Sequence, residues 1–233
     1  MPGEIVTIGA ILKRTAAVVR GDRSTFVSLL VIDAVFSVAF AVVPGSGWLL
    51  GLCSTVADIY LSLIATICVL ERLDLTPSQR SPLPSPGRVA AATLLFVLVA
   101  LPVLIGFLLL IVPGLLLAAM WCLALPVLVA ERLQVLQAMQ RSWRLAEPRS
   151  DVVIGLIVLT WLPLLVAMLL DWAVLTPLLG QPIGDAVTNI VGAALTILGA
   201  ALWAVAYAAC RAEEDAAADL TPPADPRHPR AYT

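Results

Sequence analysis

Residues 89–131 read VAAATLLFVLVALPVLIGFLLLIVPGLLLAAMWCLALPVLVAE, and Glu131 is the first charged side chain in the run. About 20 apolar residues carry a helix across about 30 Å of hydrocarbon. The run is too long for one crossing and suits two, with Pro113-Gly114 as the break between them. Reading outward in the same way predicts spans at 24–43, 48–70, 89–111, 114–131, 152–174 and 186–210, with Pro44-Gly45-Ser46-Gly47 turning the first pair. Of the 233 residues 61% are hydrophobic and 13% charged, against about 25% charged in soluble domains. The expected fold class is all-α: a polytopic membrane protein with about six transmembrane helices in a 24–211 domain.

The basic residues orient it. With the N-terminus in the cytoplasm, all 14 Lys and Arg fall in cytoplasmic segments and none in the three external turns. One span more or fewer would put basic residues outside. Trp48 and Trp172 then lie at the outer boundary, where indole rings favour the interface. Both termini are expected to be cytoplasmic, in a bacterial cytoplasmic (inner) membrane. Lys13, Arg14, Arg20 and Arg23 follow the first apolar residues rather than precede them, so a cleavable signal peptide is not expected.

Two amphipathic helices are expected on the cytoplasmic surface, at 1–23 and 132–147. In the first, Ile5, Ile8, Leu12 and Val19 oppose Lys13, Arg14 and Arg20. In the second, Val135, Leu136, Met139, Trp143 and Ala146 oppose Gln134, Gln137, Arg141 and Arg144. Lys13-Arg14-Thr15 resembles Gln140-Arg141-Ser142, and Glu71-Arg72-Leu73 resembles Glu131-Arg132-Leu133. A repeated unit of surface helix plus hairpin would explain both pairs; their spacings agree poorly. Residues 74–87 form a Pro/Ser-rich cytoplasmic loop and 212–233 a disordered acidic, Pro-containing tail.

The most informative polar residues are Asp33 and Asp58, each near the middle of its span on adjacent helices. No Lys or Arg occurs within any span to neutralise them. Each carboxyl is then protonated, hydrogen-bonded to neutral groups, or occupied by a cation. Ser54, Asp58, Ser62 and Thr66 recur every four residues, with Thr55 alongside, as one polar stripe. Such a stripe lines a proton or cation path, or it holds helices together by interhelical hydrogen bonds. Pro102, Pro126 and Pro163 interrupt three spans and free backbone carbonyls.

Catalytic signatures are absent. The single histidine, His228, lies in the tail, and no GxSxG, HExxH, Walker A or GxGxxG pattern occurs. Cys53, Cys68, Cys122 and Cys210 stand singly in apolar segments as packing residues. No enzyme activity, cofactor, metal or nucleic-acid partner is expected; membrane lipids and other membrane proteins are the expected partners.

The segment Ile111–Leu145 carries a family pattern: Pro113-Gly114, Trp121, Pro126, Glu131 and Ala138-Met139-Gln140-Arg141-Ser142-Trp143. It resembles the membrane domain of bacterial glycerophosphoryl diester phosphodiesterases, also found as stand-alone membrane proteins. Tyr207, Arg211 and the acidic run after them resemble that family's closing segment. Glu147-Pro148 stands where the family often has glycine, and a catalytic barrel has no room in this length. The resemblance implies a membrane module without phosphodiesterase activity. Within it Trp143 is read as a headgroup-level anchor and Arg141 as a contact to lipid phosphate. Glu131 and Arg132 would fix the end of the fourth span against the Arg141–Ser142–Trp143 helix. Two functions follow: a non-enzymatic scaffold or interaction module, or a small proton- or cation-linked transporter or channel using Asp33 and Asp58. They differ in whether a polar cavity reaches the two acids.

Overall fold

Thr7 opens the first helix by accepting the Ala10 N–H on its hydroxyl at 3.3 Å, which fills one of the donors a helix start leaves free. The computed structural model describes residues 7–42, 47–75 and 84–219, and all regular structure among them is helical. Residues 44–46, Ile5, most of the 74–87 loop and the tail from 220 lie outside the described residues, as do the side chains of Ser37, Trp48 and Ser54.

Helix α1 (Ile8–Gly21) meets α2 (Arg23–Val42) at Asp22, whose carboxylate accepts the Thr25 hydroxyl at 2.8 Å. The same carboxylate pairs at 3.1 Å with Arg72, the last residue of α3 (Gly47–Arg72). The α3 end closes in a Schellman motif: Leu75 N–H donates to the Leu70 carbonyl at 3.0 Å, with Asp74 left-handed at φ 55°.

The hairpin of α4 (Pro86–Leu109) and α5 (Ile111–Trp121) turns three residues earlier than expected. Leu110 alone leaves helical geometry, and Pro113 sits in the first turn of α5, where its missing N–H costs nothing. Gly106 and Gly114 make the turn this tight. A Cβ on Gly106 would stand 2.8 Å from the Gly114 Cα, and one on Gly114 would stand 2.6 Å from the Phe107 nitrogen.

The fourth predicted span is two helices, α5 and α6 (Ala124–Ala130), separated at Cys122–Leu123. Pro126 explains the break. It has no N–H for the Cys122 carbonyl and its ring crowds that carbonyl. Next come α7 (Val135–Ala146), a 3₁₀ turn (Glu147–Arg149), α8 (Ser150–Leu170), a π turn (Asp171–Leu175), α9 (Thr176–Leu179) and α10 (Gln181–Asp219). Asp171 packs where a Gly184 Cβ would otherwise be, and its carboxylate accepts the Thr176 hydroxyl at 3.0 Å. A negative group there suits the N-terminal turn of α10. Residues 212–219, expected to be disordered, instead extend α10, and the ion pairs below hold them.

Four stretches among the described residues are long and apolar enough to cross a bilayer: Pro86–Leu109, Val112–Ala130, Val135–Leu178 and Ala186–Asp219. They are compatible with a membrane location. Helices α2 and α3 run beside α10, which also touches α1 and α8. The core is concentrated towards the end that carries α1 and α7, in Leu63, Ile67, Leu70, Leu123, Ile197 and Tyr207. Towards the other end Leu104, Leu108, Leu109, Val112 and Leu169 stay exposed.

Helices α1 and α7 pack on this core by faces that overlap only in part with those expected: Ile8, Val19, Val135, Met139 and Ala146 are on it, and Leu12, Leu136 and Trp143 are not. In α1 the buried residues are Ile11 and Thr15, while Leu12 is exposed. The chain crosses α8 at Gly155, whose absent Cβ makes room for Ile8. In α7 they are Ala138, Met139, Ser142, Leu145 and Ala146, leaving Leu136 63% and Trp143 37% exposed. Seen together, α1–α2–α3 and α7–α8–α10 follow one plan of short helix, corner and hairpin. Each corner is tied to its returning helix by an ion pair of opposite polarity, Asp22–Arg72 in one and Arg149–Glu213 in the other.

Candidate functional site

Helix α2 turns Phe26, Leu29 and Asp33 inward at helical spacing, while Val31, Ile32, Val35 and Phe36 face out. Asp33 is therefore fully buried, at 0% exposure. The ionisable group facing it is Asp58 on α3. Counted at 1.5 Å per residue, Asp33 lies about 15 Å from the start of α2.

Asp58 has a second neighbour that Asp33 lacks: it lines a cavity of about 320 Å³ with Thr55, Ser62, Phe96, Trp121 and Thr196. A second cavity of similar volume takes in Thr66, Thr160, Trp161, Gly192 and Gly199. Ser62, Cys122, Leu125 and Thr196 line both, so the two adjoin as neighbouring lobes of a hollow. Of the predicted stripe, Asp58, Ser62 and Thr66 line this space; the Ser54 side chain lies outside the described residues. Thr66 is fully buried and its hydroxyl has no partner.

Three features of the hollow explain why it is not filled. The helix break at Cys122–Leu123 lies on its wall, and the Cys122 thiol turns back to the Ala119 carbonyl at 3.1 Å. Gly192 and Gly199, seven residues apart on one face of α10, line the second lobe; a Cβ on either would meet nothing within 4 Å. The hollow also lies where α3 and α10 pass from the packed half of the bundle to the open half. The sequence carries partial signals for these features, with Pro126 four residues after Cys122 and the glycine pair two turns apart.

Glu131, Arg132, Arg141, Ser142 and Trp143 form a separate cluster at the α1/α7 end. Arg141 donates from Nη1 and Nη2 to the two Glu214 oxygens at 2.7 and 2.5 Å, and from Nε to Glu131 Oε1 at 3.3 Å. Tyr207 donates its hydroxyl to the same Glu131 oxygen at 3.0 Å and accepts from Arg211 at 3.0 Å. Arg149 pairs with Glu213 on the same stretch of α10. The Arg141 guanidinium holds the Glu214 carboxyl below the ordinary glutamate range. At Asp22 the Thr25 hydroxyl, and after it Arg72, does the same.

This changes several expected roles. Arg141 faces two carboxylates rather than lipid phosphate. Glu131 does bind α7, through Arg141, whereas Arg132 is exposed with φ 52° and stands outside that pairing. Ser142 is buried and donates to the Met120 carbonyl at 2.7 Å, one of the acceptors that the end of α5 leaves free. Trp143 lies 6.5 Å from Trp121, ring centre to ring centre. Glu213 and Glu214 escape a sequence reading because they fall within the segment expected to be disordered.

No protein-family model matches the chain, and no solved structure matches its fold. The functional reading rests on the geometry alone.

Proposed function

We propose that this chain is a six-span membrane protein with both termini in the cytoplasm, and that it is a small proton- or cation-linked transporter whose path includes Asp58 and Asp33. The six spans comprise the four apolar stretches together with α2 and α3, of 20 and 26 residues. Helices α1 and α7 lie at the cytoplasmic surface, where Leu12, Leu136 and Trp143 meet the lipid interface. The orientation draws on the one-sided Lys and Arg residues. All five ion pairs among the described residues lie at the α1/α7 end, in keeping with it. The resemblance of 111–145 to the phosphodiesterase membrane domain is consistent with a membrane module and brings no activity with it.

One observation carries the transport reading: a hollow reaches the Asp58 carboxylate, and no Lys or Arg among the described residues lines it. Irregular backbone within a membrane occurs where protein or a polar cavity shelters it, and broken helices commonly form substrate sites in transporters. The Cys122–Leu123 break on the cavity wall fits that pattern. A scaffold has no use for an unfilled hollow beside a carboxylate, because an open space weakens packing without adding a contact surface. This favours transport over the scaffold reading.

Water access is the test. In a background with all four cysteines replaced, Ser62→Cys places one thiol on the wall shared by the lobes. Transport predicts that a membrane-impermeant trimethylammonium methanethiosulfonate labels this thiol in membranes, and that Asp58→Asn slows the labelling. A thiol at position 62 that labels only after denaturation would return the chain to the scaffold reading.

A further inference from the structure

The walls of the hollow specify what kind of molecule fits. We infer that it binds an amphipathic organic cation, a hydrophobic body bearing one ammonium or phosphonium charge, with Asp58 as the counter-ion and the aromatic rings as the seat. This deepens the transport reading and rests on it for the path by which the cation moves.

Four observations converge. Among the described residues Asp58 is the one charged residue on either lobe, and no Lys or Arg lines them, so the site offers an anion no partner. The remaining wall is mostly apolar and includes the aromatic side chains Phe96 and Trp121 in one lobe and Trp161 and Trp203 in the other. A cation held against an aromatic face there gains from the ring quadrupole as well as from the carboxylate. Each lobe measures about 320 Å³, within the range of small-molecule sites and far beyond what a bare monovalent ion needs.

Thr66 borders the second lobe with its hydroxyl fully buried, so the polar contact to the ligand falls to Asp58. Among the described residues no third His, Cys, Asp or Glu joins Asp58 and Asp33, so the donors for a caged divalent metal are missing. Asp33, behind Asp58 and outside both lobes, does not touch the ligand and acts as a positioning residue for the Asp58 charge.

The experiment uses two probes of nearly the same shape and opposite charge, tetraphenylphosphonium and tetraphenylborate. Binding of each to the purified full-length chain in detergent is measured by equilibrium dialysis. Tetraphenylphosphonium should bind saturably at one site, with affinity falling at least about 10-fold in Asp58→Asn. Tetraphenylborate should show only micelle partitioning, equal in both proteins. A second variant, Gly199→Met, guards against loss of fold in the first. It fills open space, and should abolish phosphonium binding while leaving the thermal unfolding temperature at or above that of the parent. Equal binding of the two probes, or phosphonium binding unchanged in both variants, overturns the inference. Labelling of the Ser62→Cys thiol with no saturable phosphonium binding would reject the organic cation while leaving the water path in place. Saturable, Asp58-dependent phosphonium binding without labelling of that thiol would support the site and reject the path.

Discussion

Gly106 and Gly199 lie in long apolar helices, and the same substitution should move stability in opposite directions at the two positions. In a helix interior, Gly→Ala stabilises by about 0.5–1 kcal/mol, because alanine gives up less backbone freedom on folding. At Gly199 nothing opposes that gain, since the new methyl enters the hollow and meets no atom within 4 Å. At Gly106 the methyl would sit 2.8 and 2.9 Å from the Gly114 Cα and nitrogen, which are backbone atoms and cannot swing aside. Overpacking of this kind costs about 1–3 kcal/mol, leaving a net loss of up to about 2.5 kcal/mol. For a chain of this size 1 kcal/mol corresponds to about 2–4 °C in Tm. Gly199→Ala should therefore rise by about 1–4 °C and Gly106→Ala fall by up to about 10 °C. The assay is thermal unfolding in a single detergent, followed by a thiol-reactive dye in a background that keeps the buried Cys210 and replaces Cys53, Cys68 and Cys122. A fall at Gly199 comparable to that at Gly106 would mean the hollow is closed, and the argument for a ligand site would go with it.

Two further predictions concern the α7 end. Ser142→Ala strands the Met120 carbonyl in a buried position and should cost about 1–3 kcal/mol, read as a lower Tm in the same assay; an unchanged Tm would refute this role. Glu214 has its folded pKa below the unfolded value because of Arg141, so its contribution is present above the ordinary glutamate pKa of 4.5 and disappears as pH falls through the lower folded value. Glu214→Gln should thus be less stable than the parent at pH 7, with the gap closing below about pH 4. A gap that stays constant from about pH 7 to about pH 3.5 would show that the pair does not act through charge.

Spans and turns are legible in the sequence to different degrees, for physical reasons. Long apolar runs are read residue by residue, which is why α4, α8 and the body of α10 appear within a few residues of their expected positions. The α4–α5 turn is displaced from its expected place because proline is tolerated in a first helical turn, while the close glycine crossing that decides the turn is a contact between Gly106 and Gly114. The buried faces of α1 and α7 match expectation only in part, for a related reason. A short amphipathic helix next to a membrane has two apolar surroundings, and periodicity does not say which apolar residues take the protein side. Leu136 and Ile11 come out on opposite sides of that division. The helical extension to Asp219 depends on Arg141 and Arg149, residues far away in sequence, so composition alone suggests disorder.

The polar stripe on α3 has two readings, and hydrogen-bond satisfaction separates them. Residues that glue helices together meet partners: Ser142 reaches the Met120 carbonyl, and Tyr207 joins Glu131 to Arg211. Hydroxyls without a cross-helix role bond back to their own helix, as Thr15 does to Ile11, Thr93 to Val89 and Thr160 to Leu156. Thr66 does neither, although a carbonyl four residues back is the usual resort of a buried threonine. Asp33 faces another acid, Asp58, rather than a base, and Asp58 also opens onto the hollow. Unpaired groups also occur elsewhere, at Glu71 and Thr188, so an unmet hydroxyl alone marks no site. What sets the stripe apart is coincidence in space: an unmet hydroxyl, a carboxylate without a counter-charge, a broken helix and two glycines surround one hollow. Helix packing favours closing such a space, and each of these four features keeps it open.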